Sequence, residues 1–217
     1  MSAVSSVFAL TLILPASHPV SAQLMSTCVE NSPERQGKIG CSIIADQVLP
    51  DDLKQPLFWH IDRFDSATRA RVAAGPTSVA FEAAGTSWLM TVESKTSNHH
   101  GGEHVAVVGP LPLPRAPKYS MLVQSAVFSP GMYSLIHHLS GVEAVYVVEG
   151  EGCYETQARA FRVRKGDTLA IPGGTLMRAV ATGSKRRYVL AAIIHDASQP
   201  ATMRMGEGKS PQLAACK

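Results

Sequence analysis

The chain has 217 residues, of which 45% are apolar and 17% charged, and its formal charge is +3. That is enough for one domain with a sizeable core, and it excludes a disordered or strongly charged chain. Basic residues are scattered and only 6% of the residues are aromatic, so no charged stripe or base-stacking surface for nucleic acid is expected.

Residues 1–22 read as a signal peptide. Val7 to Leu14 (VFALTLIL) is an apolar run too short to span a bilayer. Pro15 ends it, and Val20-Ser21-Ala22 supplies a small-residue cleavage pattern before Gln23, although MSAVSS carries no Lys or Arg. No other segment is long and apolar enough to cross a membrane. A periplasmic or secreted protein, with no membrane in its mature form, is the expectation. The four cysteines fit an oxidising compartment. Cys28 and Cys41 bracket a short polar loop that a disulfide would staple, and Cys153 and Cys216 are the less favoured second pair.

Residues 23–119 read as an N-terminal extension. To about Lys54 it is polar and turn-rich; Leu57 to Ile61 starts a strand or a helix. Ser66 to Ala73 has helical composition, with Asp65 or Ser66 as N-cap, and Gly75-Pro76 ends it. Ser78 to Glu82, Ser87 to Val92 and Glu103 to Val108 read as strands. The segment His99-His100-Gly101-Gly102-Glu103-His104 reads as a solvated loop, its spacing matching no familiar metal site. The Pro-rich stretch after Val108 cannot join a sheet interior and reads as a surface connector. Residues 120–196 hold short strands at close intervals: Ser120 to Phe128, Gly131 to Leu139, Ala144 to Val148, Ala158 to Val163, Thr168 to Ile171, Leu176 to Val180 and Tyr188 to Ile194. Turn residues separate most of them, which indicates a sandwich or barrel. Gly150-Glu151-Gly152 reads as a hairpin turn. Lys185-Arg186-Arg187, beside another tight turn, reads as solvated surface. His60 and His195 read as packed core or rim residues, and residues 197–217 as a polar surface tail.

Two glycine-rich stretches stand out. Gly131, His137, Glu143 and Gly150 fit the spacing G-x5-H-x-H-x3-E-x6-G, with Leu139 at the second histidine. Gly166, Pro172 and Gly174 fit G-x5-P-x-G-x2-H-x3-N, with Met177 at the histidine and Ala181 at the asparagine. This pattern resembles the cupin family. The resemblance implies a mostly β chain with a cupin jelly-roll barrel and a β-containing extension packed on it, and it implies a homodimer. In that family three histidines and one carboxylate hold a divalent metal such as iron, manganese, nickel or zinc, leaving open positions for chemistry.

Here two of those four positions are lost. Leu139 has no donor atom, and Met177 offers only a soft thioether. His137 and Glu143 remain as the implied ligands. His138 is turned outward by strand alternation. The same parity points Tyr133, Leu135, Leu139, Met177 and Ala179 inward, forming a small apolar pocket suited to an aromatic or short-chain molecule. Two functions follow from the resemblance. One is a metal-dependent oxygenase or isomerase with a weakened metal site. The other is a metal-free, non-catalytic barrel that binds a small ligand.

Overall fold

The computed structural model describes residues 24–25, 29–30, 37–94, 101–204 and 211–216, and these fold as three sheets around two main cores. The N-terminal part supplies β1 (Leu24–Met25), β2 (Val29–Glu30), β3 (Gly40–Val48), β4 (Phe58–Phe64), α1 (Ala67–Ala73), β5 (Ser78–Ala83), β6 (Thr86–Glu93) and β7 (Glu103–Val108). The remainder supplies β8 (Tyr119–Phe128), β9 (Tyr133–Ser134), β10 (His137–Leu139), β11 (Val142–Glu149), β12 (Glu151–Thr156), β13 (Ala160–Arg164), β14 (Thr168–Ile171), β15 (Met177–Ala181), β16 (Arg187–Asp196) and β17 (Thr202–Arg204).

The middle sheet runs β14-β11-β16-β8-β3-β2. One face meets the sheet built on β9, β10, β12, β13 and β15, and these two layers enclose the barrel interior. Its other face is covered by the four-stranded sheet β5-β6-β4-β7. Alternation sorts the side chains between the two cores. On β16, Val189, Ala191 and Ile193 join the barrel core, while Tyr188, Leu190, Ala192 and Ile194 meet Trp59, Ile61, Trp88 and Met90 of the extension. A strand covered on both faces must be apolar on both, which is why β16 is buried from Arg187 to His195. Residues 58–108 of the extension therefore form the back wall of the barrel, a four-stranded sheet with one helix, while β1, β2 and β3 join the two barrel sheets. Ser66 caps α1, its hydroxyl accepting from the Arg69 amide, and Ala70 packs on Phe64 and Leu89.

Local reading differs from the structure at several places. The stretch read as polar and turn-rich contains β3, which pairs with β8 inside the middle sheet. Its polar flanks mask an alternating core of which Cys41 and Ile43 face the barrel. Gly150 to Gly152 is not a hairpin: β11 belongs to the middle sheet and β12 to the other, so this is a corner between layers. The chain turns there with Gly150 at φ +76, where an added Cβ would lie 2.3 Å from the Arg186 carbonyl oxygen. The strand expected around Cys153 is β12, and it extends to the polar pair Glu155 and Thr156. In the fold they are buried and satisfied, Glu155 by Arg178 at 2.8 Å and the Thr156 hydroxyl by the Arg159 carbonyl at 2.7 Å.

The tail, read as a surface arm, is fastened. β17 pairs with β10, the Ala214 amide donates to the Thr156 carbonyl at 2.8 Å, and Cys216 is disulfide-bonded to Cys153 on β12 across 63 residues. Cys41 is disulfide-bonded as well; its expected partner, Cys28, lies outside the described residues, as does the whole signal-peptide reading. A cross-link of this span stabilises by about 4 kcal/mol on loop entropy. A Cys153→Ser/Cys216→Ser variant should therefore show a large fall in urea midpoint, and an unchanged midpoint would refute a structural role for the bridge.

Candidate functional site in the barrel interior

A cavity of about 340 Å³ lies between the two barrel layers. Its walls are mostly apolar, with Leu122, Leu139, Met177 and Val189 among them, and its polar lining residues are Gln124, Ser134, His137, Glu143, Tyr154, Arg187 and Thr202.

Glu143 stands on β11 with the inward parity of Val145 and Val147. It is only 6% exposed. Gln124 hydrogen-bonds to the carboxyl, and Oε2 has no partner. Burial pushes this carboxyl up to about 7, against the opposing charge of Arg187 and the Gln124 bond.

Arg187 opens β16 and has the parity of Val189 and Ala191, so it enters the interior. The reading of Lys185-Arg186-Arg187 as one solvated cluster is corrected here. Lys185 and Arg186 are exposed, whereas Arg187 is 1% exposed. Its Nη2 donates to the Tyr154 hydroxyl. Its guanidinium carbon lies 4.7 Å from the Tyr154 ring centroid and 5.6 Å from that of Phe128, within cation–π range. Gly152 makes room for it, since a Cβ there would lie 2.5 Å from Nε. Burial pushes the Tyr154 hydroxyl well above its ordinary range, so it stays protonated beside the guanidinium.

His137 is half-buried and its Nδ1 lies 2.8 Å from the Leu135 carbonyl oxygen. A carbonyl can only accept, so Nδ1 carries the proton, and in the neutral ring Nε2 is an acceptor. Burial lowers the His137 pKa, which favours that neutral ring. A carboxyl titrating near neutrality and a neutral imidazole therefore line one cavity, both residue types that serve in proton transfer.

The structure brings together His137, Glu143, Leu135, Leu139, Met177 and Ala179 as cavity-lining residues. Tyr133 is not among them. Its ring lies 5.4 Å from the Arg178 guanidinium, and Ser134 lines the cavity in its place. The reason is the interruption between β9 and β10, which resets the alternation so that Ser134 and Leu135 both face inward. His138 pairs with Met203 and does not line the cavity. Of the histidine segment read as a loop, His99 and His100 lie outside the described residues. His104 sits on β7, its Nδ1 2.9 Å from the Asp62 carboxylate. His60 is buried beside it. Sequence reading missed Gln124, Tyr154 and Arg187. The available signal was the period-2 pattern Arg187, Val189, Ala191, Ile193, outweighed by the basic neighbours.

These side chains fit a divalent metal poorly. Leu139 and Met177 place hydrocarbon and thioether where imidazoles would be needed, and a guanidinium already supplies positive charge near Glu143. Among the described residues no three His, Cys, Asp or Glu side chains come together as a metal-binding group.

Two layered sheets around a cavity, with glycines at φ +79, +76, +88 and +77 at motif positions Gly131, Gly150, Gly166 and Gly174, define a jelly-roll barrel. No protein-family model matches the chain, and no curated protein matches it. Similar solved structures include a cupin superfamily protein from Desulfitobacterium hafniense, 18% identical over 35% of this chain and 68% of that one, with a TM-score of 0.32. A cupin-like protein from Thermotoga maritima is 23% identical over 40% and 65%, TM-score 0.35. A cupin 2 domain-containing protein from Halorhodospira halophila is 19% identical over 40% and 59%, TM-score 0.35. The chain thus spans about two thirds or less of the length of these proteins, and the likeness concerns the fold.

Proposed function

We propose that this is an exported protein whose barrel binds a small organic molecule without a tightly held metal. The observation that carries this reading is the cavity itself: apolar walls, two missing ligand positions, and a buried arginine beside Glu143. Elemental analysis of the purified protein, alongside a Leu139→His variant, tests it. The expected result is no stoichiometric metal in the unmodified protein and a gain of metal in the variant, which restores one imidazole near His137 and Glu143. Stoichiometric iron, manganese, nickel or zinc in the unmodified protein would overturn the metal-free reading and favour a metal-dependent oxygenase or isomerase.

The Cys153–Cys216 disulfide and the bonded state of Cys41 support an oxidising compartment. Recovery from the periplasm or medium of a protein beginning at Gln23 tests export; an intact Met1 on cytosolic protein would refute it. A second reading, metal-independent proton transfer on the bound molecule, is favoured by the proximity of Glu143 and His137 to one cavity. Deuterium incorporation from heavy water into a bound carbon acid would be its signature.

A further inference from the structure

We propose that Arg187 is the anchor for a carboxylate, and that the barrel takes small monocarboxylic acids with an aromatic or branched aliphatic body. This rests on the reading above that the cavity holds a small organic molecule. Three observations lead to it.

First, Arg187 is a permanent cation at 1% exposure. It is one residue from Arg186, which is exposed and bonded to Glu149 at 3.3 Å. An arginine at a barrel rim ordinarily snorkels its head to water. This one is directed inward through the gap that Gly152 leaves.

Second, it makes no ion pair among the described residues, although Glu143 is near enough to feel its charge. Arg178 has the Glu155 carboxylate and Arg186 has Glu149. Arg187 has a neutral phenol and two ring faces, and its Nε is buried without a hydrogen-bond partner. The acid facing the same space, Glu143, has no ion pair with it and keeps Oε2 unpartnered. A buried cation without a direct ion pair, whose nearest acid is itself hard to ionise, is costly to hold. An anion bound to the guanidinium offsets that cost.

Third, the remaining chemistry selects the anion. A guanidinium has five N–H donors in a planar fork that matches two coplanar oxygens. The cavity of about 340 Å³ has Leu122, Leu139 and Met177 in its walls, which suits hydrocarbon and leaves no second cation for a phosphate or dicarboxylate. Glu143 and His137 line the same cavity as Arg187, so polar groups accompany the hydrocarbon walls around the body of the ligand.

The test is calorimetric titration of the purified protein with benzoate and 3-methylbutanoate, each paired with its neutral amide. Unmodified protein is expected to bind an acid at least about tenfold more tightly than its amide, the scale of one charge-assisted pair. Arg187→Met, of similar stem length, should remove that advantage while leaving amide binding in place; Arg187→Lys should keep part of it. The acid-to-amide comparison in unmodified protein needs no variant, so a misfolded Arg187→Met does not spoil it. Equal affinity for acid and amide overturns the anchor and leaves the ligand-binding barrel standing. Binding of neither by the unmodified protein overturns both.

Discussion

Gly141→Ala is expected to be among the most destabilising single-methyl additions in this protein, costing roughly 3 kcal/mol or more. The added Cβ would stand 1.9 Å from the Ile194 carbonyl oxygen and 2.6 Å from the His195 Cα. These are backbone atoms of β16, where Val142 pairs with Ile194 and β8 holds the other edge. Neither side can yield without loosening a ladder that serves both cores. The turn at 172–174 presses from the opposite direction, since a Cβ on Gly173 would lie 3.1 Å from the Gly141 backbone. Gly131 is the informative contrast. It is a motif glycine at φ +79 with nothing within 4 Å of an added Cβ, so Gly131→Ala costs only the left-handed backbone penalty of about 1–2 kcal/mol. Urea unfolding of both variants measures the difference. A Gly141→Ala loss equal to or below that of Gly131→Ala would show that the close approach to β16 is not what constrains the turn.

Glu143→Gln is expected to reverse the usual sign of a core substitution above neutral pH and stabilise the protein. The unfolded carboxyl titrates near 4.5 and the folded one at about 7. Between those values the folded state holds a proton that the unfolded state releases. Stability from this group is therefore full below 4.5, falls as pH rises, and is lost once pH passes about 7. The slope is about 1.4 kcal/mol per pH unit, giving ~3 kcal/mol over the window. Glutamine keeps the shape and the bond to Gln124 but has nothing to ionise. The two proteins should be of similar stability at pH 4 and diverge by pH 8 in favour of the variant. His60 and His137, both lowered by burial, act in the opposite direction below pH 6.5 but are common to both proteins, so the difference curve isolates Glu143. Parallel stability curves from pH 4 to 8 would sink this account of the buried carboxyl.

The motif reading succeeded where the determinants are local. Gly131, Gly150, Gly166 and Gly174 sit where the backbone turns through positive φ, and a run of residues carries that requirement in its own spacing. Inward placement of His137, Glu143, Leu139 and Met177 followed from strand parity and agrees with the cavity walls. The same parity failed at Tyr133, because it presumed one unbroken strand where β9 and β10 are separate. β3 was hidden for a different reason. Its place in the middle sheet comes from pairing with β8, some eighty residues away in the chain, and its own polar flanks give no sign of that partner.

What the sequence determined by itself is the barrel and the residue types at its motif positions, Leu139 and Met177 among them, since both depend on residue type and short-range spacing. What only the tertiary structure decided is the chemistry of the interior. Arg187 belongs to a basic triplet by sequence and to the barrel interior by fold. Its local signals conflict: the alternation with Val189, Ala191 and Ile193 points inward, and the basic neighbours Lys185 and Arg186 point to solvent. The distinction is made by the bare Gly152 backbone and the Tyr154 hydroxyl, both contributed by β12 from the opposite layer. A buried charge is specified by what surrounds it across the barrel, and those neighbours meet only when the two sheets close.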